Sequence, residues 1–163
     1  MGFFSWDCKG CGHSLRSSCA TSKTSAWMKQ AVVYKEGSKT ALRGEYDGYG
    51  NIGGDPYGDD DGNFWEGHKF TVYHKACHEI LGKPKFDGQS RGSHDQGYFI
   101  DDNFDPAKPK TLADLAYLRD TGDAARERTR EEWRKICADG EKRRAEEAVV
   151  SSWMAAELGV VAS

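Results

Sequence analysis

The chain has 163 residues, of which 37% are hydrophobic, and a net charge of -3 from 23 basic and 26 acidic residues. That apolar share excludes a single large hydrophobic core, and the charge excludes a global electrostatic nucleic-acid binder. Aromatic residues make up 12% of the chain, which excludes simple disorder.

The first residues, Met1 to Asp7, carry neither a basic flank nor an apolar run, so they do not read as a secretory signal or as an Arg-rich transit peptide. Gly2 fits the start of a myristoylation pattern, but that pattern needs Ser or Thr where Trp6 stands. No apolar run is long enough to span a membrane. Residues 1–104 hold 16 of the 19 glycines, four of the five cysteines and all five histidines, so metal or turn chemistry belongs to this half. Five cysteines with the Cys8/Cys11 spacing favour a metal ligand pair over a disulfide framework, and so a reducing compartment, cytoplasmic or nuclear, with an organelle as the alternative.

Two β-favouring runs, Ala31 to Glu36 and Lys39 to Arg43, flank Gly37-Ser38, which predicts a hairpin with a II′-type turn. Gly48-Tyr49-Gly50 and residues 51–63 read as a Gly/Asp-rich loop. Phe64-Trp65 and then Lys69 to Tyr73 read as a returning strand. His74 to Gly82 has the pattern of a short helix stopped by Gly82 and Pro84.

The polar segment 84–110 is expected to wrap the domain, with His94 to Ile100 apolar enough to dock. From 111 onward a helical extension is predicted, with Thr111 as N-cap, Asp114 in its first turn and Pro109 just before. Gly122 is expected to interrupt it. Beyond that point charge alternates densely, with Glu131/Lys135 and Asp139/Arg143 as i,i+4 pairs. The basic residues Arg126, Arg128, Arg130, Arg134, Lys135 and Lys142 to Arg144 are balanced by acids and read as a solvated face. The domain division expected is therefore 1–83, 84–110 and 111–163.

Chemistry concentrates in Cys8-Lys9-Gly10-Cys11-Gly12. Two residues between the cysteines let both sulfurs converge on one ion, and the glycine after them permits the left-handed backbone of a metal knuckle. A second pair, His74 and Cys77, follows at i,i+3 where a strand meets a helix start, so both side chains share one face. The predicted ligands of one structural zinc ion are Cys8, Cys11, His74 and Cys77, with His78, His13 and Cys19 as alternates. Knuckle, hairpin, strand and ligand-bearing helix in this order resemble the treble-clef and zinc-ribbon zinc fingers. The Tyr73-His74-x-x-Cys77 run is similar to the second ligand pair of LIM-type modules. The resemblance spans residues 5–83 and implies a small α+β domain stapled by zinc. The 62 residues between Cys11 and His74 are assigned to an elaborated hairpin and the acidic loop.

Competing motifs fail on specific positions. Cys8 to His13 is one residue too long for haem attachment, and His78-Glu79 has Gly82 where a metalloprotease helix needs its second histidine. Neither half of the zinc-deaminase signature is present. Asp59 to Asn63 misses the first EF-hand ligand, because Tyr57 stands there. Tyr46, Tyr49, Tyr57, Phe64 and Trp65 could stack bases, but few cations accompany them, so packing around the metal is the expected role. Four Cys/His ligands close a zinc site to catalysis. The expected function is therefore a non-enzymatic structural or adaptor protein whose last helix docks on a protein partner or larger assembly, with Trp133, Ile136 and Trp153 as anchors. A nucleic-acid-binding zinc finger is the first alternative. A metal-dependent nuclease or hydrolase built on His68, His74, His78 and His94 is the second.

Overall fold

A computed structural model of the chain describes residues 4–53, 67–93 and 104–159. The fold is α+β. After a single 3-10 turn at Ala26–Lys29 come strands β1 (Gln30–Lys35), β2 (Leu42–Tyr46), β3 (Ile52–Gly53) and β4 (Phe70–His74). Helix α1 (Lys75–Ile80) follows β4 directly, and helix α2 runs Leu112–Leu158. The strands form one antiparallel sheet in the order β3-β2-β1-β4. By contact the chain divides into two compact units, Met1–Arg126 and Glu127–Ser163. Among the described residues no helix is long and apolar enough to cross a membrane.

The predicted hairpin forms, with a different turn. Val33 pairs with Leu42 and Gln30 with Glu45, the register that a two-residue Gly37-Ser38 loop would set. The turn closes earlier instead, through Ser38 N–H donating to the Lys35 carbonyl at 3.0 Å, with Gly37 at φ 79° in the third position. A II′ turn needs positive φ in the second position, so this turn belongs to another class. The segment read as loop after Gly50 holds the short strand β3, which pairs Ile52 with Tyr46. Residues 54–66, including the acidic run and Phe64-Trp65, lie outside the described residues, as does the docking run His94 to Ile100.

Strand periodicity sorts the core into two faces. Val32, Tyr34 and Tyr73 share one cluster with Cys8, Cys11, Trp27, Met28, Cys77, Leu115 and Leu118. Ala31, Val33, Phe70 and Val72 share the other with Leu15, Tyr46 and Ile52. Tyr46 therefore packs away from the cysteines, contrary to the expectation that it surrounds the metal, and Tyr49 is exposed. The free edge of β4 is covered by the knuckle and by the polar segment. Lys9 N–H donates to the Val72 carbonyl at 2.9 Å, Val72 N–H to Ser90 Oγ at 2.7 Å, and Ser90 N–H to the Phe70 carbonyl at 2.9 Å.

Helix α1 ends as its sequence predicts. Lys83 N–H donates to the His78 carbonyl and Gly82 N–H to the Glu79 carbonyl, with Gly82 at φ 80°, the paired bonds of a Schellman stop. Helix α2 opens on Thr111, whose Oγ1 accepts from Asp114 N–H at 3.2 Å while Asp114 Oδ2 accepts from Thr111 N–H at 3.1 Å. This is a reciprocal capping box.

Three expectations for α2 are corrected. The helix runs through Gly122 without a break, and Gly122 faces His13 so closely that a Cβ there would lie 3.2 Å from Nε2. Contact, not propensity, explains the glycine. Arg126 is no part of a solvated face: it is 2% exposed and ion-paired. The pairs Glu131/Lys135 and Asp139/Arg143 are not closed; Glu127 instead meets Arg130 at 3.6 Å and Arg134 at 3.5 Å, exposed pairs of little energetic weight.

Candidate metal centre

The knuckle is shaped before any ion is considered. Gly12 N–H donates to the Cys8 carbonyl at 2.8 Å and Cys8 N–H to the His13 carbonyl at 2.9 Å, closing a tight turn with Gly12 at φ 76°. Gly10 lies beneath the second ligand pair, where a Cβ would sit 2.7 Å from Cys77 Cβ. A glycine is thus required for the two pairs to meet. Strand β4 delivers His74 as its last residue and α1 carries Cys77 in its first turn.

The result is a buried cluster of Cys8, Cys11, His74 and Cys77 whose ligand atoms lie within 4.8 Å of one another. Cys11 Sγ is 3.3 Å and Cys77 Sγ 3.9 Å from His74 Nδ1. A tetrahedral zinc site with Zn–S near 2.3 Å and Zn–N near 2.0 Å has ligand–ligand edges of about 3.5–3.8 Å. The donor set therefore fits one metal ion and is consistent with zinc. Gly10 N–H at 3.3 Å and His74 N–H at 3.2 Å both donate to Cys8 Sγ, as a thiolate ligand requires. His74 Nε2 lies 3.1 Å from the Ser14 carbonyl, so that nitrogen donates and Nδ1 is left facing the sulfurs. The Trp27 ring stands edge-on to His74 at 5.0 Å, and Trp27 Nε1 donates to the Pro106 carbonyl at 2.9 Å.

Electrostatics point the same way. Burial pushes the Cys8 thiol up, but hydrogen bonds from Cys11 and Cys77 and the His74 charge outweigh it and hold Cys8 well below its usual value. Burial alone would neutralise His74, yet the charges of Cys11 and Cys8 raise it well above the ordinary histidine range. Burial raises Cys11, and the hydrogen bonds of Cys77 to Cys11 and Cys8 push Cys77 up strongly. Negative sulfur in a dry pocket thus holds a proton on the imidazole, the place a dication takes when such ligands deprotonate.

The alternates are placed elsewhere. His78 is buried on α1 with Nε2 2.9 Å from the Pro84 carbonyl and its ring tilted against Tyr34 and Tyr73. His13 stacks on Phe104 at 4.3 Å, with Nε2 2.6 Å from the Leu118 carbonyl and 3.1 Å from Thr121 Oγ1. Burial lowers its pKa to about 4. Cys19 is exposed. Of the histidines considered for a nuclease, His68 is exposed, His74 and His78 are as described, and His94 lies outside the described residues. Trp133, Ile136 and Trp153 are exposed on α2, at 49%, 59% and 63%.

Sequence reasoning missed Gly10, the Ser14 carbonyl, Trp27 and the Asp7–Arg126 pair. Only Gly10 carried a signal, as the glycine inside the knuckle; a carbonyl partner has none, and the pair joins residues remote in sequence. The chain was compared with protein-family models, curated proteins and solved structures, and none matches.

Proposed function

We propose that this chain is a non-enzymatic, zinc-binding structural protein. Residues 5–83 form a treble-clef-like module closed by one zinc ion on Cys8, Cys11, His74 and Cys77, and the last helix docks on a protein partner. One observation carries the zinc reading: three sulfurs and one imidazole nitrogen converge in a buried cluster. With four protein ligands, a tetrahedral ion keeps no position open for water or substrate, which is the difference between structural and catalytic zinc. The docking reading is supported by large apolar side chains exposed on α2, among them Trp133, Ile136, Val150 and Trp153. The free cysteines fit a reducing compartment.

Chelation followed by near-ultraviolet circular dichroism tests the structural role. Stripping the ion should abolish the tertiary signal of the buried aromatics, and zinc should restore it. An unchanged spectrum after complete metal removal would contradict the proposal. For docking, a chain ended after Arg126 should keep its metal and fail to join assemblies that the full chain joins.

A further inference from the structure

We propose that the helix beyond Arg126 pairs antiparallel with the same helix of a second copy of this chain. The inference rests on the docking half of the reading above and supplies the partner.

Within Glu127–Ser163, Trp133, Ile136, Gly140, Arg143, Glu147, Val150 and Met154 recur at alternating spacings of three and four, the period of a two-helix seam. Trp133, Ile136, Val150 and Met154 are 49%, 59%, 55% and 48% exposed, so the apolar members of the seam are uncovered in the single chain.

The centre of the seam selects both occupant and direction. Its charged central positions are Arg143 and Glu147, opposite in sign. A twofold axis level with Ala145 places Arg143 against Glu147 of the second copy, and the reverse, giving two such pairs. The same operation sets Ile136 against the second copy's Met154 and Gly140 against its Val150. Trp133 then lies level with the second copy's Glu157, one residue before Leu158, which is 70% exposed in the single chain. Parallel pairing in register would instead set Arg143 on Arg143 and Glu147 on Glu147.

Gly140 supplies an independent observation. It sits inside α2, where glycine costs about 1 kcal/mol relative to alanine. A Cβ added there meets nothing within 4 Å, so the single chain gives no reason for the glycine. A small residue facing Val150 across a close helix pair is such a reason.

The test is sedimentation equilibrium of the zinc-loaded full chain and three variants, with helix content and metal content as folding controls. The wild type should dimerise. Arg143→Glu or Glu147→Arg alone places like charges together twice and should weaken the dimer at least about tenfold. The double variant Arg143→Glu/Glu147→Arg restores the complement and should recover wild-type affinity to within about threefold. Antiparallel pairing also separates the two Cys137 residues by roughly 24 Å, so in a Cys19→Ser background oxidation should not cross-link them. A wild type that stays monomeric, a dimer indifferent to the single reversals, a double variant no better than either, or ready Cys137 cross-linking would each overturn the pairing. The docking reading fails separately, if a chain ended after Arg126 assembles like the full one.

Discussion

Arg126 Nη2 lies 2.8 Å from Asp7 Oδ2, joining two side chains that are 2% and 4% exposed and 119 residues apart in the chain. Asp7 is the residue before Cys8, so the pair connects the foot of α2 to the start of the metal knuckle. Neighbouring contacts repeat the connection. Arg126 also donates to the Gly12 carbonyl, Arg119 to the carbonyls of Lys9 and Gly10, and His13 bonds the Leu118 carbonyl. The Lys9, Gly10 and Gly12 carbonyls of the knuckle are therefore taken by side chains of α2, and whatever holds the knuckle in shape also holds the base of that helix.

The pair predicts a large penalty for losing one member. Asp7 also accepts from Ser14 Oγ at 3.0 Å and Arg91 Nε at 3.1 Å, so it is fully committed. Asp7→Asn removes the buried carboxylate from the Arg126 guanidinium and leaves its ion pair with the well-exposed Asp123. The expected loss is about 3 kcal/mol, read from urea unfolding, because breaking a buried pair costs far more than the pair itself is worth. Asp7→Asn/Arg126→Met should recover at least half of that loss. A single variant within about 0.5 kcal/mol of wild type would show that the pair is not buried as described.

Gly122 gives a prediction with a sign opposite to helix propensity. Alanine in a helix interior normally gains about 1 kcal/mol over glycine. Here the new Cβ would lie 3.2 Å from His13 Nε2 and 3.3 Å from Cε1. His13 cannot yield, held between the Phe104 ring and the Leu118 carbonyl. Overpacking of about 1–3 kcal/mol should outweigh the gain, so Gly122→Ala should lower the thermal midpoint. A raised midpoint would place His13 away from the helix.

The capping box predicts a pH dependence. Backbone hydrogen bonds from Lys110 and then Thr111 hold the Asp114 carboxyl below its usual range. A depressed folded pKa means a contribution that is present above the unfolded value, near 3.9, and is lost as pH falls through the lower folded value. Carboxyl carbon NMR should show Asp114 titrating below about 3.9, and Thr111→Ala should move it upward by removing the hydroxyl contact. A midpoint at or above the unfolded value contradicts the cap.

Short-range rules made much of this legible in the sequence. The knuckle spacing, the strand feeding His74 into a helix that carries Cys77, the Gly82 stop and the Thr111 cap are each decided within a few residues. What stayed hidden depends on contacts across long separations. Arg126 belongs by composition to a run of balanced charge, and only Asp7 makes it a core residue. Gly122 reads locally as a break, and only the contact with His13 explains a glycine inside an unbroken helix. β3 is two residues long in a glycine-rich segment, too short for alternation to register. The hairpin turn moved because Gly37 closes a turn begun at Lys35, which the dipeptide alone does not specify.

Metal content of the purified full chain tests the central claim most directly, with Cys8→Ser, Cys11→Ser, Cys77→Ser, His74→Ala and His78→Ala measured beside wild type. The account predicts one zinc per wild-type chain, retained by His78→Ala, and lost or sharply weakened in the other four together with the tertiary signal. A chain that binds no zinc, or that keeps it when Cys8 and Cys11 are replaced, would contradict the claim.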